Sequence, residues 1–125
     1  MEFRGICLIT RDVPGLVRFY EAVLQTTADG GDVHAEVRTD GAALAIYSRA
    51  AAEHDMGFAF GQGAGTGLAA LGFEVADVDA EYARLQALGV EILIPPTTYP
   101  WGRRAITFRD PDGNIVGFGC AAAEP

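Results

Sequence analysis

Hydrophobic and polar positions repeat the same order in the two halves of the chain. In the first half, the apolar run 3–10 predicts a buried strand, and apolar residues at helical spacing up to Leu24 predict a helix. In the second half, 68–75 predicts a strand and a helix follows as far as Gly89. Each helix begins at an aspartate suited to cap it, Asp12 and then Asp77, which are 65 positions apart.

Paired strands are predicted to end each half. The segments 33–38 and 42–48 flank a turn at Asp40-Gly41, and 101–109 and 114–119 flank Asp-Pro-Asp-Gly-Asn, where proline and glycine favour a tight turn. We also expect a polar connection over 25–32 and a strand over 90–94 that Pro95-Pro96 closes. The stretch 49–60 gives no clear pattern.

This internal repeat predicts an α+β fold of two similar modules. Each copy is too small to bury its sheet alone, so the two should pack as a pseudo-symmetric pair around a shared cleft. The first module covers about 1–56, a glycine-rich linker about 57–67, and the second module about 68–125 of a single domain.

Composition and charge limit the classes of partner expected for this chain. The chain has nine arginines, no lysine and 17 acidic residues. The resulting net charge of −8 argues against a nucleic-acid partner. Such a surface would concentrate a cationic small molecule, or it only favours solubility. No apolar run is long enough for a membrane span, and the N-terminus lacks a signal peptide, which predicts a cytoplasmic location. Cys7 and Cys120 are expected to be free thiols.

Three segments resemble one known family. They are Arg11-Asp12-Val13 with the helix Phe19-Tyr20-Glu21-Ala22-Val23-Leu24, then 73–78 with Leu88-Gly89-Val90, and the hairpin from Pro100 to Phe118. Together they resemble the glyoxalase/bleomycin resistance/dioxygenase superfamily, the vicinal oxygen chelate proteins, over nearly the whole chain. The resemblance implies two βαβββ modules that form a partly open barrel around a cleft, and a homodimer.

Members of that superfamily usually bind a divalent metal through His, Glu or Gln at up to four matching strand positions. By resemblance, these positions lie seven residues before Asp12 and Asp77, five after Asp40 and three after Asn114. They are occupied here by Gly5, Ala70, Ala45 and Gly117. None of these side chains can bind a metal, so we expect no metal or cofactor and an enlarged cleft floor, unless Gly and Ala stand there only because they are frequent in this chain.

Aromatic residues are the main positive indication of ligand binding. Trp101 stands beside Tyr99 in the segment that, by resemblance, lies near the cleft, and a planar ligand gains about 0.5–1.5 kcal/mol per ring contact. Tyr47 shares a strand face with Ala45. The residues predicted to bind ligand are Trp101, Tyr47, Tyr99, Phe60, Phe58, Cys7 and Glu74.

Titratable residues offer weaker alternatives. Glu74 shares a strand face with Ala70. Three roles are open to it: a general base with a raised pKa, a counter-charge for a cationic ligand, or a rim residue paired with an arginine. It is the only candidate catalytic residue. A relocated metal site is the less favoured interpretation of four further residues, His34, Glu36, Glu53 and His54.

These observations favour a metal-free small-molecule binding protein. It would sequester a planar, hydrophobic or cationic antibiotic-like ligand and so contribute to antibiotic resistance. The first alternative is a lyase, isomerase or dioxygenase that uses a relocated metal or metal-free acid–base chemistry. The second is a non-catalytic module that binds another protein.

Overall fold

The chain folds into two units with the same architecture. The computed structural model describes Met1, Phe3, 5–57 and 70–123, and contacts divide the chain into Met1–Gly65 and Thr66–Pro125. Each unit contains one four-stranded sheet. The predicted glycine-rich linker lies almost entirely outside the described residues, so its role stays a prediction.

The first unit consists of a βαβββ arrangement followed by a short helix. Its elements are β1 (Gly5–Thr10), α1 (Val13–Leu24), β2 (Ala28–Gly30), β3 (His34–Val37), β4 (Ala43–Ser48) and α2 (Arg49–Met56). The strand order is β1-β4-β3-β2, with β1 parallel to β4 and the other neighbours antiparallel. The α1 crossover makes the parallel pairing of β1 and β4 possible.

The second unit repeats that arrangement. Its elements are β5 (Ala70–Glu74), α3 (Val78–Ala87), β6 (Ile92–Tyr99), β7 (Arg103–Arg109) and β8 (Ile115–Ala121). The strand order β5-β8-β7-β6 matches that of the first unit, and β5 is parallel to β8. The predicted α+β fold of two βαβββ modules is confirmed.

The two aspartates at the helix starts have the same structural role. The Asp12 Oδ1 atom accepts a hydrogen bond from the Gly15 backbone N–H at 3.0 Å, and Asp77 Oδ1 accepts one from the Ala80 N–H at 3.1 Å. Each carboxylate therefore satisfies an N–H that the first turn leaves unpaired. The cap that the sequence predicts is confirmed in both units.

The turn between β7 and β8 is organised by a buried carboxylate. The Asp110 Oδ1 atom accepts from the backbone N–H groups of Asp112 and Asn114, and Oδ2 accepts from the Asn114 side-chain amide. Gly113 has φ 87°, a conformation that glycine adopts without a steric penalty. The predicted hairpin is confirmed, and its register places Thr107 opposite Gly117.

Two predictions for the connecting segments are wrong. Strand β6 continues through Pro95 and Pro96 to Tyr99, because it is an edge strand and proline there need not donate to a second neighbour. The stretch 25–32 contains β2, three residues long, which pairs with β3 at the opposite sheet edge. Too few residues take part in β2 for a period-two pattern to stand out.

Helix α2 forms where the sequence gave no pattern. It begins after Ser48, whose hydroxyl accepts from the Ala51 N–H, and ends at Gly57 in the left-handed conformation. Ala52 is its one buried residue among the described ones. Because only this small side chain is buried, the sequence of α2 has no run of large apolar residues at helical spacing from which a helix could be predicted.

The hydrophobic core of each unit lies between its sheet and its long helix. In the first unit, its buried residues include Leu16, Tyr20 and Val23 of α1 and Val37, Leu44 and Ile46 of the strands. In the second unit, the corresponding residues are Val78, Leu85, Ile106, Phe108, Val116 and Phe118. We call the sheet face turned away from α1 or α3 the far face of its unit. No described helix is both long and apolar enough to cross a membrane.

Candidate functional site

The far face of the second sheet has a floor of very small residues. The register places Gly72 of β5 opposite Gly117 of β8, and Gly119 next to Ala105 of β7. A Cβ atom on Gly72 would meet no described atom within 4 Å, and one on Gly117 would meet its nearest neighbours at 3.9 Å. Ala70, which with Gly117 belongs to the predicted cleft floor, lies on the same face, and its role in a cleft stays a prediction.

Two stacked aromatic rings stand at one end of this floor. The ring centroids of Tyr99 and Trp101 are 4.7 Å apart and their planes differ by 14°. The Gly102 N–H donates to the Tyr99 carbonyl at 3.1 Å, and Gly102 has φ 82°, so a tight turn holds the two rings on the same side. Trp101 is 70% exposed, which leaves most of the indole available to another planar group.

An arginine–glutamate pair borders the floor beside these rings. Arg103 is opposite Tyr99 in the β6–β7 register. Its Nη1 atom donates to Glu74 Oε1 at 3.1 Å and its Nη2 atom donates to Oε2 at 2.5 Å. A Cβ atom on Gly119 would lie 3.0 Å from Nη2, so the absence of a side chain there lets the guanidinium reach across β8 to β5.

The pairing determines which role Glu74 can have. The hydrogen bonds from Arg103 are the main cause that lowers the pKa of Glu74 below its ordinary value. The carboxylate is therefore ionised at neutral pH and already accepts two N–H groups. Of the roles considered for Glu74, the structure therefore supports the rim residue paired with an arginine and not the general base with a raised pKa.

The protonation of Glu74 gives a direct check of this pair. A lowered folded pKa means that the contribution of the pair to stability is complete above the ordinary value of 4.5 and is lost as the pH falls through the folded pKa. In a carboxyl ¹³C NMR titration, we expect a midpoint below 4.5 for Glu74 and a higher midpoint after Arg103→Gln. A midpoint at or above 4.5 in the unmodified protein would show that the pair does not form in solution.

The far face of the first sheet carries the other predicted ligand-binding residues. The ring of Tyr47 meets that of His34 edge-on, with centroids 5.7 Å apart. Cys7 is opposite Ala45 in the β1–β4 register. The Cys7 thiol is exposed, and partial desolvation raises its pKa, so it remains a protonated thiol. Tyr47, Cys7 and Ala45 lie on the same face of their sheet, as strand alternation predicts.

The four positions expected to hold a metal do not fit one. Gly5 and Ala45 lie on the far face of the first unit, and Ala70 and Gly117 lie at the equivalent points of the second, all without a donor side chain. At Gly5 the obstacle is also steric, because φ is +150° and a Cβ atom would lie 2.1 Å from the Ala43 carbonyl oxygen. No step can be derived through a metal at these positions.

The residues considered for a relocated metal site are not brought together either. His34 and Glu36 share a strand face, but Glu53 pairs with Arg49 and His54 Nδ1 lies 2.8 Å from Asp55 Oδ1. Within the described parts of the chain, no three His, Cys, Asp or Glu side chains gather closely enough to hold a metal ion. Phe58 and Phe60 lie outside the described residues, so their predicted roles stay untested.

A groove of about 220 Å³ in the first unit lies apart from all these residues. It is lined by the start of α1 and the β2–β3 turn, and one of its two acidic residues, Asp29, is already paired with Arg38. Its lining includes none of the predicted ligand-binding residues. The far face of the second unit remains the better candidate, because aromatic, small and charged residues meet there.

Two βαβββ units with identical strand order define the class of paired-βαβββ proteins. The sequence model of the Glyoxalase/Bleomycin resistance protein/Dioxygenase superfamily matches residues 4–118. The chain therefore belongs to this superfamily, as the resemblance of its motifs predicts.

Solved structures agree with this assignment. A glyoxalase/bleomycin resistance protein/dioxygenase from Nocardioides is 25% identical with a TM-score of 0.84, covering 100% of this chain and 87% of that one. A glyoxalase-related enzyme from Fulvimarina pelagi is 24% identical with a TM-score of 0.79, and the match covers 94% of this chain and 86% of that one. TioX from Micromonospora sp. ML1 is 21% identical with a TM-score of 0.77, and the match covers 97% of this chain and 99% of that one. The last two show the fold alone. No curated protein matches the sequence.

Proposed function

We propose that this protein binds a planar, hydrophobic small molecule and that the binding needs no metal. The observation that carries the proposal is the exposed Trp101 ring, stacked on Tyr99 beside a floor of small residues. An exposed indole held by a partner ring is already oriented for stacking, so little conformational entropy is lost when a ligand arrives.

Affinity would come from apolar burial and ring contact. A planar group laid on the floor can approach the backbone of β8 closely at Gly117, which presents no Cβ atom, whereas the space above Gly119 is taken by the Arg103 guanidinium. Each aromatic contact contributes about 0.5–1.5 kcal/mol beyond the area buried. Tyr47 and Cys7 of the first unit remain proposed contacts.

The metal-dependent alternatives of this superfamily have less support. The four expected ligand positions offer no donor atom, and Gly5 has no room for a side chain. Acid–base chemistry at Glu74 is also disfavoured, because its carboxylate is held by Arg103 and its pKa is lowered. A binding protein is what remains when these residues are considered together.

Sequestration of an antibiotic-like molecule is the biological role we infer from this chemistry and from membership in a superfamily that includes bleomycin resistance proteins. Its basis is capture without turnover, for which stacking and burial are sufficient. The homodimeric state and the cytoplasmic location remain predictions from the sequence and the family resemblance.

Binding can be measured with a panel of planar antibiotics. We expect saturable quenching of the fluorescence of Trp101, the only tryptophan, and saturable uptake in equilibrium dialysis. Trp101→Ala, followed by dialysis, should weaken the affinity about tenfold, because it removes one stacking surface and its buried area.

The matched control is Tyr82→Ala, which removes an aromatic ring from α3 on the other side of the same sheet. It should leave the affinity unchanged. A flat response over the whole panel, or equal losses in the two variants, would count against the proposed site.

A further inference from the structure

We propose that the molecule bound at this site is a planar carboxylic acid whose carboxylate replaces that of Glu74 on Arg103. This inference rests on the proposed function and specifies the charge of its ligand. The net charge of −8 suggested a cation, but the charged residue opposite Tyr99 in the β6–β7 register is Arg103.

Arg103 is the cation of the far face that lies beside the aromatic rings. Strand alternation and register place its guanidinium and the Glu74 carboxylate on this face, whereas Arg109 lies six residues further along β7, where its Nη1 atom donates to the Gly113 carbonyl and its backbone N–H donates to that of Glu91. An anion that arrives at the rings therefore meets the guanidinium of Arg103 and the carboxylate that it would replace there. The surrounding acidic surface would oppose non-specific binding of other anions.

Arg103 is placed to recognise a substituent on a stacked ring. It is directly opposite Tyr99 in the antiparallel β6–β7 pair, and Tyr99 stacks on Trp101. Side chains at opposite positions of such a pair have Cβ atoms about 4.5–5.5 Å apart. A planar ligand in contact with the Tyr99–Trp101 stack therefore lies at the end of the face where the guanidinium is, and we place its carboxylate on Arg103.

The existing partner of Arg103 can be exchanged. The side chains of Arg103 and Glu74 are 39% and 67% exposed, and water screens ion pairs of this kind so that they contribute little to stability. A ligand carboxylate can accept the same two parallel N–H bonds that Glu74 now accepts. Glu74, once released, can extend into solvent and keep its charge hydrated.

Glu74 then acts as a competitor that sets the affinity. In the absence of ligand it holds the guanidinium across Gly119, where a Cβ atom would come within 3.0 Å of Nη2. This geometry keeps the Arg103 side chain on the far face. An uncharged partner at residue 74 would compete less well with an incoming anion.

The chain offers a matched control on the opposite face of the same sheet. Arg104 donates from Nε and Nη2 to the two carboxylate oxygens of Asp79 at 2.9 and 2.7 Å. This pair has the same chemistry and lies one residue along β7, but it faces α3 rather than the aromatic rings. Substitutions in it should change charge equally without changing ligand binding.

Three naphthalenes of nearly the same shape separate the charge classes: 2-naphthoate, neutral 2-naphthamide and cationic 2-(aminomethyl)naphthalene. Binding is measured by calorimetry and by the NMR signal of the Trp101 indole N–H. We expect 2-naphthoate to bind about tenfold more tightly than the other two. Glu74→Gln should tighten 2-naphthoate about threefold, and Arg103→Gln should reduce its affinity to that of the amide.

The control variants Asp79→Asn and Arg104→Gln should leave all three affinities unchanged. If 2-naphthoate binds no better than 2-naphthamide, or if Glu74→Gln weakens binding of the cation and leaves that of 2-naphthoate unaltered, the carboxylic acid assignment is overturned while the proposed function stands. If no naphthalene moves the Trp101 signal, both the proposed function and this assignment are overturned.

Discussion

Alanine in place of Phe108 is expected to reduce the free energy of unfolding by about 3–5 kcal/mol, which corresponds to a fall in Tm of about 10 °C or more. Phe108 has no exposed surface, and its ring meets that of Phe118 edge-on with centroids 5.0 Å apart. Truncation removes this contact and leaves a cavity beneath the sheet that carries the candidate site. Urea denaturation followed by circular dichroism measures the loss.

Phe3→Ala is the matched control, because that ring is 74% exposed and the same atoms are removed. It should change the free energy of unfolding by no more than about 0.5 kcal/mol. Comparable losses in the two variants, or a loss below about 1 kcal/mol for Phe108→Ala, would contradict the burial that separates these rings.

The second large effect is expected for Gly5→Ala, at about 2–3 kcal/mol of stability. A Cβ atom would lie 2.1 Å from the Ala43 carbonyl oxygen, and φ of +150° is a conformation that alanine rarely adopts. The start of β1 would have to move relative to β4. This matters for function because the position is one of those that holds a metal ligand in related proteins, by the resemblance of the motifs.

Gly72→Ala provides the comparison for Gly5→Ala. A Cβ atom on Gly72 meets no described atom within 4 Å, so this variant should stay within about 0.5 kcal/mol of the original protein. Thermal unfolding of the two variants side by side is sufficient. Equal stabilities would show that β1 approaches β4 less closely than the structure has it.

Much of the fold can be predicted because its signals are local. The caps at Asp12 and Asp77 each need only a carboxylate and the next helical turn, and the apolar spacing that follows is a property of the helix itself. The continuation of β6 through Pro95-Pro96 could not be predicted this way. It depends on β6 being an edge strand, which is a property of the whole sheet.

Some features of the candidate site could also be predicted from the sequence and others could not. The resemblance of the motifs to the superfamily points to Gly5, Ala70 and the two matching positions, where the sequence has no donor side chain, and the Tyr99–Trp101 pair could be seen from proximity in the chain. The Arg103 partner of Glu74 could not, because the two are 29 positions apart and the guanidinium crosses β8 to reach the carboxylate. Strand order, and the missing side chain at Gly119, decide that contact.

Locating the charges on the sheet also revises the interpretation of the net charge. The formal value of −8 suggests an attraction for cations at the level of the whole chain. At the candidate face, Arg103 stands beside the exposed rings and Glu74 is its partner rather than a free counter-charge. A ligand is recognised by the groups that it touches, so local geometry is the better guide to its class.

The central claim is that a planar molecule binds on the far face of the second sheet without a metal. A ¹H–¹⁵N correlation spectrum recorded during titration with 2-naphthoate, in the presence and absence of EDTA, tests it most directly. We expect saturable shifts of the Trp101 indole N–H and of the Gly117 and Gly119 amides that are identical with and without the chelator. Unmoved signals, or shifts that disappear when EDTA is added, would contradict it.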